Sequence, residues 1–397
     1  MKKYVQVGCG FRGIFSFSVP LVQKYSDCGE LCGVYDINAK RAELVSKYAE
    51  KDIPVYSDFS TMLKEVKPDT VIVTSIDSTH DKYIIEALNF GCDVICEKPL
   101  TTTFEKSRNI LEAERKSGKK VTVTFNLRFH GLFMELKKQI SSGVIGDILS
   151  VHYNWMLNEA HGSDYFHRWH CERDKSGSLL IHKSTHHFDL ANWILEQDPV
   201  SVNAFGTRRV YGDVKKAPAK RCLECKEKCK FYLDVMYKTF KDIYYECESE
   251  DGYLRDRCVF SDKVDIEDTV SVNVLYSGGT VMSYTLNAFA PTEFMQMTLM
   301  GTKGRMDVTS ATNTINITLN SGEKNSIVIS QDVGANHTNA DNNIRDYLFK
   351  GTPTQMQTQA ADLRAGIMSM SIGAAANVSM KENRRVNLDE FLKDAKL

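Results

Sequence analysis

The sequence has no excess of positive charge. Its 397 residues contain 50 Lys and Arg against 51 Asp and Glu, which gives a formal net charge of -1 at pH 7. Such a balance offers no general means of neutralising a phosphate backbone, so we expect no nucleic-acid partner. Global disorder is also excluded, because 42% of the residues are hydrophobic.

Long apolar runs are equally scarce. No stretch approaches the roughly 18 apolar residues that a membrane-spanning helix needs, and the most apolar segment, 365–380, is interrupted by serine and asparagine. We therefore expect no membrane contact, and a helix packed through small residues over 365–380. Residues 1–4 lead directly into a strand-like run without the apolar region of a secretory signal, which predicts a cytoplasmic protein.

The first third of the chain alternates β-branched runs with amphipathic stretches. This alternation is typical of parallel βαβ units with right-handed crossovers. It predicts a Rossmann domain over residues 1–127, with a doubly wound parallel sheet. The predicted strands are 4–7, 30–35, 70–74, 93–96 and 121–124.

After residue 128 the pattern becomes that of an α+β domain. Helical stretches at 132–141 and 179–195 are followed by strand-like runs in quick succession. We predict that residues 128–397 form a substrate and oligomerisation domain on a large, mostly antiparallel open sheet. A cysteine-rich insertion occupies about 215–258 of it.

A glycine-rich turn follows the first predicted strand. Gly8, Gly10 and Gly13, with Phe11 and Arg12 between them, fit the G-x-G-x-x-G pattern and open the first helix, a setting typical of dinucleotide binding.

An acid stands at the expected distance from this turn. Asp36 ends the second strand, where a carboxylate would bind the adenosine ribose and repel a 2′-phosphate, so NAD is favoured over NADP. Arg41, one helical turn further on, either stacks on adenine or belongs to a solvated face.

Glu97, Lys98 and Pro99 end a later strand of the same sheet. Ligands bind beyond the carboxyl ends of such strands. Burial beside the nicotinamide would favour the neutral amine of Lys98, which could then accept a proton, and Glu97 could orient that lysine.

Together the glycine turn, Asp36, the segment 74–80 and the Glu97-Lys98-Pro99 triplet resemble the Gfo/Idh/MocA oxidoreductases, named for glucose-fructose oxidoreductase and inositol dehydrogenase. The resemblance extends through the whole chain and implies a homo-oligomer, a dimer or tetramer. The cofactor-binding residues it implies beyond the glycine turn are Asp36, Arg41, Ser75, Asp77, His80, Glu97, Lys98 and Asn126.

The family carries an Asp and a His four residues apart on a helix that faces the nicotinamide. In this chain the His is His186, and His182 replaces the Asp. Residues four apart share a helical face, so His182 and His186 are predicted to act on one ligand as catalytic groups, with Lys183 beside them. The alternative is a pair of buried structural histidines; His187 is expected to point toward packing.

Several polar and aromatic residues suit a sugar pocket, in which rings stack on C–H surfaces and donors bind hydroxyls. Most come from a predicted loop, 161–170, although an ordinary connector is the alternative. The predicted substrate-binding residues are Arg128, His161, Arg168, Trp169, His170, Lys183 and His337.

The insertion contains a cluster of cysteines. The spacing Cys222-x2-Cys225-x3-Cys229, followed by Cys258, predicts one structural Zn²⁺ held by four thiolates. Cys258 is preferred to Cys247 because it leads directly into the apolar run 259–260. Free thiols in a basic loop are the alternative.

Three function classes remain open at this point. The first is an NAD-dependent dehydrogenase acting on a secondary alcohol of a sugar, glycoside or cyclitol. The second is a redox-neutral, NAD-dependent glycosidase or lyase that oxidises its substrate transiently, an activity that the resemblance implies. The third is a sugar-sensing regulator, which the intact Lys98 argues against.

Overall fold

The N-terminal part folds as a doubly wound parallel sheet. Its strands lie in the order β3-β2-β1-β4-β5-β6, and the order reverses between β1 and β4. Ligands of open α/β sheets bind at such a reversal. This confirms the predicted Rossmann architecture. The strands are β1 (Lys2–Val7), β2 (Gly29–Tyr35), β3 (Val55–Tyr56), β4 (Thr70–Val73), β5 (Asp93–Cys96) and β6 (Val121–Val123).

Helices connect these strands, and the sequence sets where they begin. The side chains of Asn38, Asp58 and Thr103 each accept a hydrogen bond from a backbone N–H three residues on, which caps the helices that follow. The helices of this part are Phe11–Gly13, Ile14–Ser18 with π geometry, Val19–Gln23, Ala39–Ala49, Phe59–Val66, His80–Phe90 and Phe104–Ser117.

The second half carries a large, mostly antiparallel sheet, as predicted, with nine strands among the described residues. Its neighbours pair antiparallel except β7 and β10, which are parallel. One face is buried and the other faces outward, which produces the alternating burial along β9 and β10. The later strands are β7 (Ile148–Asn158), β8 (Pro199–Thr207), β9 (Thr269–Tyr276), β10 (Val281–Ala290), β11 (Phe294–Gly301), β12 (Gly304–Thr309), β13 (Thr314–Leu319), β14 (Lys324–Val328), β15 (Ala361–Asp362) and β16 (Val386–Asn387).

Two predictions about the helices of this half are wrong. The predicted helix 179–195 is broken at Lys183 and Ser184, and the predicted loop 161–170 is mostly helical. The helices are Gly131–Ser141, Glu159–His167, Arg173–Ser176, Leu179–His182, Thr185–Leu195, Lys238–Phe240, Glu248–Asp251, Thr338–Arg345, Leu363–Glu382 and Asp389–Leu392, with a 3-10 turn at Trp169–Cys171 and π-helical turns at Lys241–Tyr245 and Asp346–Lys350.

The chain returns to the Rossmann sheet near its end. Strand β15 pairs antiparallel with β6, and the helix Leu363–Glu382 follows it directly. A side chain at Gly366 would meet Val123, and one at Gly373 would meet the backbone of Leu180, so this helix packs closely through small residues as predicted. The sheet of the first domain therefore includes residues from far beyond position 127.

The computed structural model describes residues 1–330, 338–351 and 359–392. Within these ranges no helix is long and apolar enough to cross a membrane.

Candidate active site

The glycine turn after β1 has the geometry that a dinucleotide requires. Gly8 has φ +90°, and a Cβ at Gly13 would lie 2.4 Å from the Gly8 carbonyl oxygen, so these positions accept only glycine. A Cβ at Gly10, by contrast, would meet nothing within 4 Å. The turn is packed tightly against the sheet on one side and open where a pyrophosphate would approach, so the residues fit NAD.

Asp36 lies at the end of β2, beside this turn. Its carboxylate accepts hydrogen bonds from the N–H groups of Cys9 at 2.7 Å and Asn38 at 2.9 Å. Burial raises the pKa of Asp36, and the nearby Arg41 guanidinium opposes that shift. Arg41 is itself buried, with Nη1 3.4 Å from Asp36 and Nη2 2.9 Å from Asp251. Asp36 and Asp251 therefore both pair with Arg41, and this arginine is poorly suited to pair with a 2′-phosphate.

A polar chain joins the glycine turn to the triplet after β5. The Arg12 side chain donates a hydrogen bond from Nε to Glu97 at 2.7 Å and another from Nη1 to Asp341 at 2.7 Å. Asp341 also accepts from Asn126 Nδ2 at 2.7 Å. Glu97 binds the backbone N–H of Lys98 at 3.0 Å. Three predicted cofactor residues, Arg12, Glu97 and Asn126, are thus brought together, and Asp341 was missed because nothing in the sequence distinguishes it from other acids near position 340.

Lys98 connects the two domains. Its Nζ donates to the backbone carbonyl of His182 at 3.0 Å, and His182 Nδ1 lies 2.6 Å from Asp77 Oδ2. Burial lowers the pKa of Lys98 and His182 and raises that of Asp77 well above its ordinary value. All three shifts favour neutral forms at the carboxyl edge of the Rossmann sheet. The sequence predicted each residue but not the Asp77–His182 pair, because the two lie 105 positions apart.

Two other predicted cofactor residues brace this edge. Both ring nitrogens of buried His80 contact backbone oxygens, of Pro99 at 2.9 Å and of Ser75 at 3.0 Å. The hydroxyl of Ser75 accepts a hydrogen bond from Thr79 at 2.9 Å. His80 therefore ties the triplet after β5 to the segment after β4, which holds Lys98 in place.

An aromatic wall surrounds His182. The rings of Tyr165, Trp169 and His170 have centroids 5.5, 5.8 and 4.0 Å from the His182 ring. Trp169 also stacks on His170 at 3.7 Å. Arg168 pairs with Asp164 at 2.6 Å and lies over the Tyr165 ring. The helix Glu159–His167 and the turn after it thus deliver the predicted pocket residues to one place, although the loop that was expected to carry them is not a loop.

The predicted pocket residue His161 has an acidic partner that the sequence did not reveal. His161 Nδ1 lies 2.9 Å from Glu293 Oε2, and its Nε2 lies 3.1 Å from the Tyr165 hydroxyl. Glu293 stands between β10 and β11, far from the histidine in sequence. Its pKa is lowered by the His161 contact and by the charge of Lys183, although burial opposes the shift.

Lys183 is buried beside this pair, and its Nζ lies 5.3 Å from the centre of the Trp155 ring. Burial, reinforced by the charge of Lys98, lowers the pKa of Lys183 from 10.5 to about 8. Below pH 8 the ammonium is charged in both the folded and the unfolded chain, so the whole cost of burying it weakens the fold. Between pH 8 and 10.5 only the unfolded chain holds the proton, and stability therefore rises with pH.

We expect Lys183→Met to raise the melting temperature at pH 7, because the variant buries an apolar chain of similar size instead of a charge. The shift in pKa corresponds to roughly 3 kcal/mol as an upper limit. Calorimetry from pH 7 to 10 should show the gain shrinking as pH rises, and the exposed-site control Lys216→Met should show no such trend. A variant less stable than wild type at pH 7 would contradict this expectation.

The two neighbouring histidines take different places. The His186 ring packs edge-on against Phe125, which follows β6, with centroids 5.9 Å apart. The His187 ring is fully buried, stacks on Trp155 at 3.9 Å and contacts the Tyr284 hydroxyl at 2.7 Å. His187 therefore packs in the core, as expected, whereas His186 faces the edge of the Rossmann sheet.

Arg128, which was predicted to bind substrate, instead forms an ion pair within the protein. Arg128 forms a buried, two-pronged ion pair with Asp189, at 2.6 and 2.7 Å, and donates to the Ala360 carbonyl at 3.2 Å. These contacts hold the helix Thr185–Leu195 against the Rossmann domain, so we assign Arg128 to the frame of the site. The last predicted pocket residue, His337, lies outside the described residues.

The four cysteines predicted to bind zinc line one small cavity. Cys222, Cys225, Cys229 and Cys258 all face it, whereas the Cys247 carbonyl binds Asn38 on the Rossmann side. Burial raises the pKa of Cys222 to about 11. Across the described ranges, however, no group of three or more His, Cys, Asp or Glu residues is arranged so that it could hold a metal ion. The predicted zinc site is therefore not shown.

Comparisons with known proteins agree with this geometry. The model of an oxidoreductase family with an NAD-binding Rossmann fold matches residues 2–125, and the C-terminal alpha/beta domain of the same family matches residues 137–388. A Bacillus subtilis (strain 168) protein named as an oxidoreductase, YteT, is 34% identical over 98% of this chain and 99% of its own length. Inositol 2-dehydrogenase 2 of Saccharopolyspora erythraea is 29% identical over 51% of this chain and 56% of its own length.

Solved structures share the fold across both domains. Levoglucosan dehydrogenase, in complex with NADH and levoglucosan, matches 98% of this chain and 99% of its own with a TM-score of 0.72 and 16% identity. An oxidoreductase from Agrobacterium radiobacter, in complex with NAD+, L-tartaric acid and magnesium, matches 98% of this chain and 99% of its own with a TM-score of 0.71 and 16% identity. The chain belongs to the Gfo/Idh/MocA family of NAD-dependent oxidoreductases.

Proposed function

We propose that this protein oxidises a secondary alcohol of a sugar, glycoside or cyclitol with NAD. The observation that carries the proposal is the position of Lys98, which lies half-buried at the carboxyl edge of the cofactor-binding sheet and is hydrogen-bonded to His182 of the second domain. The aromatic wall beside it suits the C–H faces of a sugar ring. The relatives named as inositol and levoglucosan dehydrogenases support the same substrate class.

Each residue of the site has a separate role in such a reaction. NAD, when bound, supplies the hydride acceptor. Lys98, whose neutral amine is favoured by burial, accepts the hydroxyl proton, and His186, the residue that the family resemblance assigns as base, then takes that proton from Lys98. The neutral Asp77–His182 pair holds the carbonyl that positions Lys98, and Lys183 and Trp169 bind the neighbouring hydroxyls and ring face.

A redox-neutral glycosidase is the second candidate, and the His161–Glu293 pair favours it. Hydride transfer needs one proton acceptor, yet this pocket holds a second acid–base pair on the Tyr165 side, with Lys183 close by. When His161 carries a proton, this pair could protonate a leaving group, a task that the sequence assigned to no residue. In that reaction the cofactor returns to its starting state in every turnover.

Stoichiometry separates the two candidates. Free sugars, cyclitols and aryl glycosides are incubated with NAD+, and NADH and released aglycone are followed together. We expect NADH in proportion to substrate and no aglycone. Many aglycones released per NAD, without NADH accumulating, would instead establish the glycosidase, and solvent deuterium beside the oxidised carbon would trace its elimination step. No NADH and no aglycone with any substrate would contradict both candidates.

We also keep structural zinc as a prediction for the cysteine cavity, since four thiols are the donor set that tetrahedral zinc takes. We expect one Zn²⁺ per chain, and Cys258→Ser to lower metal content and melting temperature together. Cys247→Ser is the matched control, because that residue lies outside the cavity, and its metal content should stay at the wild-type level. Elemental analysis that finds no metal in protein purified without chelator would exclude the site.

A further inference from the structure

Part of the cysteine-rich insertion lies on the cofactor side of the Rossmann domain. Residues 238–251, which we call the clamp, comprise the short helices Lys238–Phe240, Lys241–Tyr245 and Glu248–Asp251. The clamp belongs to the second domain, and Arg221 of that domain ties it down through an ion pair with Glu248 at 2.8 Å. Two of its other contacts are with residues expected to surround NAD, and a third anchors it elsewhere on the Rossmann domain.

The first contact is with the glycine turn. The backbone N–H of Phe11, in the turn where a pyrophosphate would bind, donates to the Tyr244 hydroxyl at 3.4 Å. The Phe11 ring packs edge-on against Phe240, with centroids 6.1 Å apart. The buried Arg255 lies over both Phe240 and Tyr244 and so fixes their rings.

The second contact is with the ribose end of the site. Asp251 pairs with Arg41 at 2.9 Å, and the same guanidinium contacts Asp36 and the Ile243 carbonyl. The Asn38 amide donates to the Cys247 carbonyl at 2.8 Å. These partners are the acid predicted to bind the ribose and its immediate neighbours.

The third contact anchors the clamp away from the ligand. The Ile243 side chain is fully buried in the same hydrophobic cluster as Ile14 and Val45 of the Rossmann domain. Asp242 accepts hydrogen bonds from Lys47 at 2.5 Å and from the Tyr48 hydroxyl at 2.9 Å. An apolar anchor flanked by ion pairs gives the clamp a defined seat, since fully buried side chains of this size contribute strongly to packing.

We propose that the clamp is part of the cofactor site and holds the ADP end of NAD through successive turnovers, an inference that rests on the proposed use of NAD. The clamp contacts the Phe11 N–H directly and Asp36 through Arg41, so release of NAD from these residues is coupled to separation of the clamp from them. Release is therefore slowed by the free energy of these contacts, and the Tyr244 hydroxyl is placed to bind the pyrophosphate beside the Phe11 N–H. Residues 238–251, which lie between Cys229 and Cys258, thus take a cofactor role that needs no metal ion.

The test measures release of NADH directly. Protein loaded with NADH is mixed with excess NAD+ in a stopped-flow instrument, and the loss of bound-NADH fluorescence gives the dissociation rate. We expect Asp251→Asn to release NADH about tenfold faster than wild type, because it removes the ion pair between the clamp and Arg41. The matched control is Asp213→Asn, which removes an exposed carboxylate just before the insertion that pairs with Arg208, and it should release NADH at the wild-type rate.

A second pair of variants tests the clamp independently if Asp251→Asn fails to fold. Tyr244→Phe keeps the ring and removes only the hydroxyl, and we expect release about threefold faster. Tyr237→Phe, at an exposed tyrosine of the insertion, should leave the rate unchanged. Equal release rates for wild type, Asp251→Asn and Tyr244→Phe would overturn the clamp while leaving the proposed function intact. Failure of wild type to bind NADH in a calorimeter would contradict the proposed function itself.

Discussion

Lys98→Met should lower kcat by about 10²- to 10⁴-fold, the range for loss of a positioned acid–base group. Methionine retains the length of the side chain and removes the amine, so the hydrogen bond to the His182 carbonyl and the acceptor for the hydroxyl proton are lost together. NADH affinity should change little, because the contacts of Glu97 with Arg12 and with the Lys98 backbone do not involve the lost amine.

The pH profile distinguishes a catalytic amine from a structural one. Burial lowers the pKa of Lys98, so the neutral amine appears at lower pH than for an ordinary lysine. Wild-type kcat/KM should therefore rise with pH through this ionisation, and that limb should vanish in Lys98→Met. The control is Lys106→Met, which removes an ion pair with Asp81 on the same domain and should keep both the rate and the limb. If Lys98→Met stays within threefold of the wild-type kcat, Lys98 is not the proton acceptor.

The cofactor half of the site was predictable because its signals are local. Gly8, Gly10 and Gly13 follow a strand at fixed spacing, and Lys98 follows another, so the parallel topology alone brings these residues to one edge of the sheet. Their individual contacts were not predictable. The family resemblance implied that His80 binds the cofactor, whereas in the structure both of its ring nitrogens contact backbone oxygens.

The substrate half depends on contacts between distant segments, which no spacing encodes. Asp77 and His182, His161 and Glu293, and Arg128 and Asp189 come from elements far apart in the sequence, and each pair forms only when its two elements pack together. Arg128 is an example. Its side chain suited a substrate pocket, but its ion pair with Asp189 makes it part of the frame of the site. The break at Lys183 and Ser184 also lies at a contact between distant segments, since the His182 carbonyl just before it accepts a hydrogen bond from Lys98 of the first domain.

His186→Ala and His187→Ala should differ in what they damage, which tests the assignment of the helical face. His187→Ala deletes a buried ring stacked on Trp155 and leaves the Tyr284 hydroxyl without its 2.7 Å contact. Loss of a buried aromatic ring and of its hydrogen bond costs about 3 kcal/mol of unfolding free energy. We expect a clear drop in the denaturant midpoint, with kcat of the folded fraction within a few fold of wild type.

His186→Ala should show the opposite balance. Its ring meets Phe125 only edge-on, so less packing is lost, whereas removal of the proposed base should lower kcat by about 10²-fold or more. Denaturant unfolding gives the stability of each variant, and turnover normalised to folded protein gives kcat. Should His187→Ala reduce normalised kcat as much as His186→Ala does, the base would have to be sought on the Trp155 side of the helix, beside Lys183.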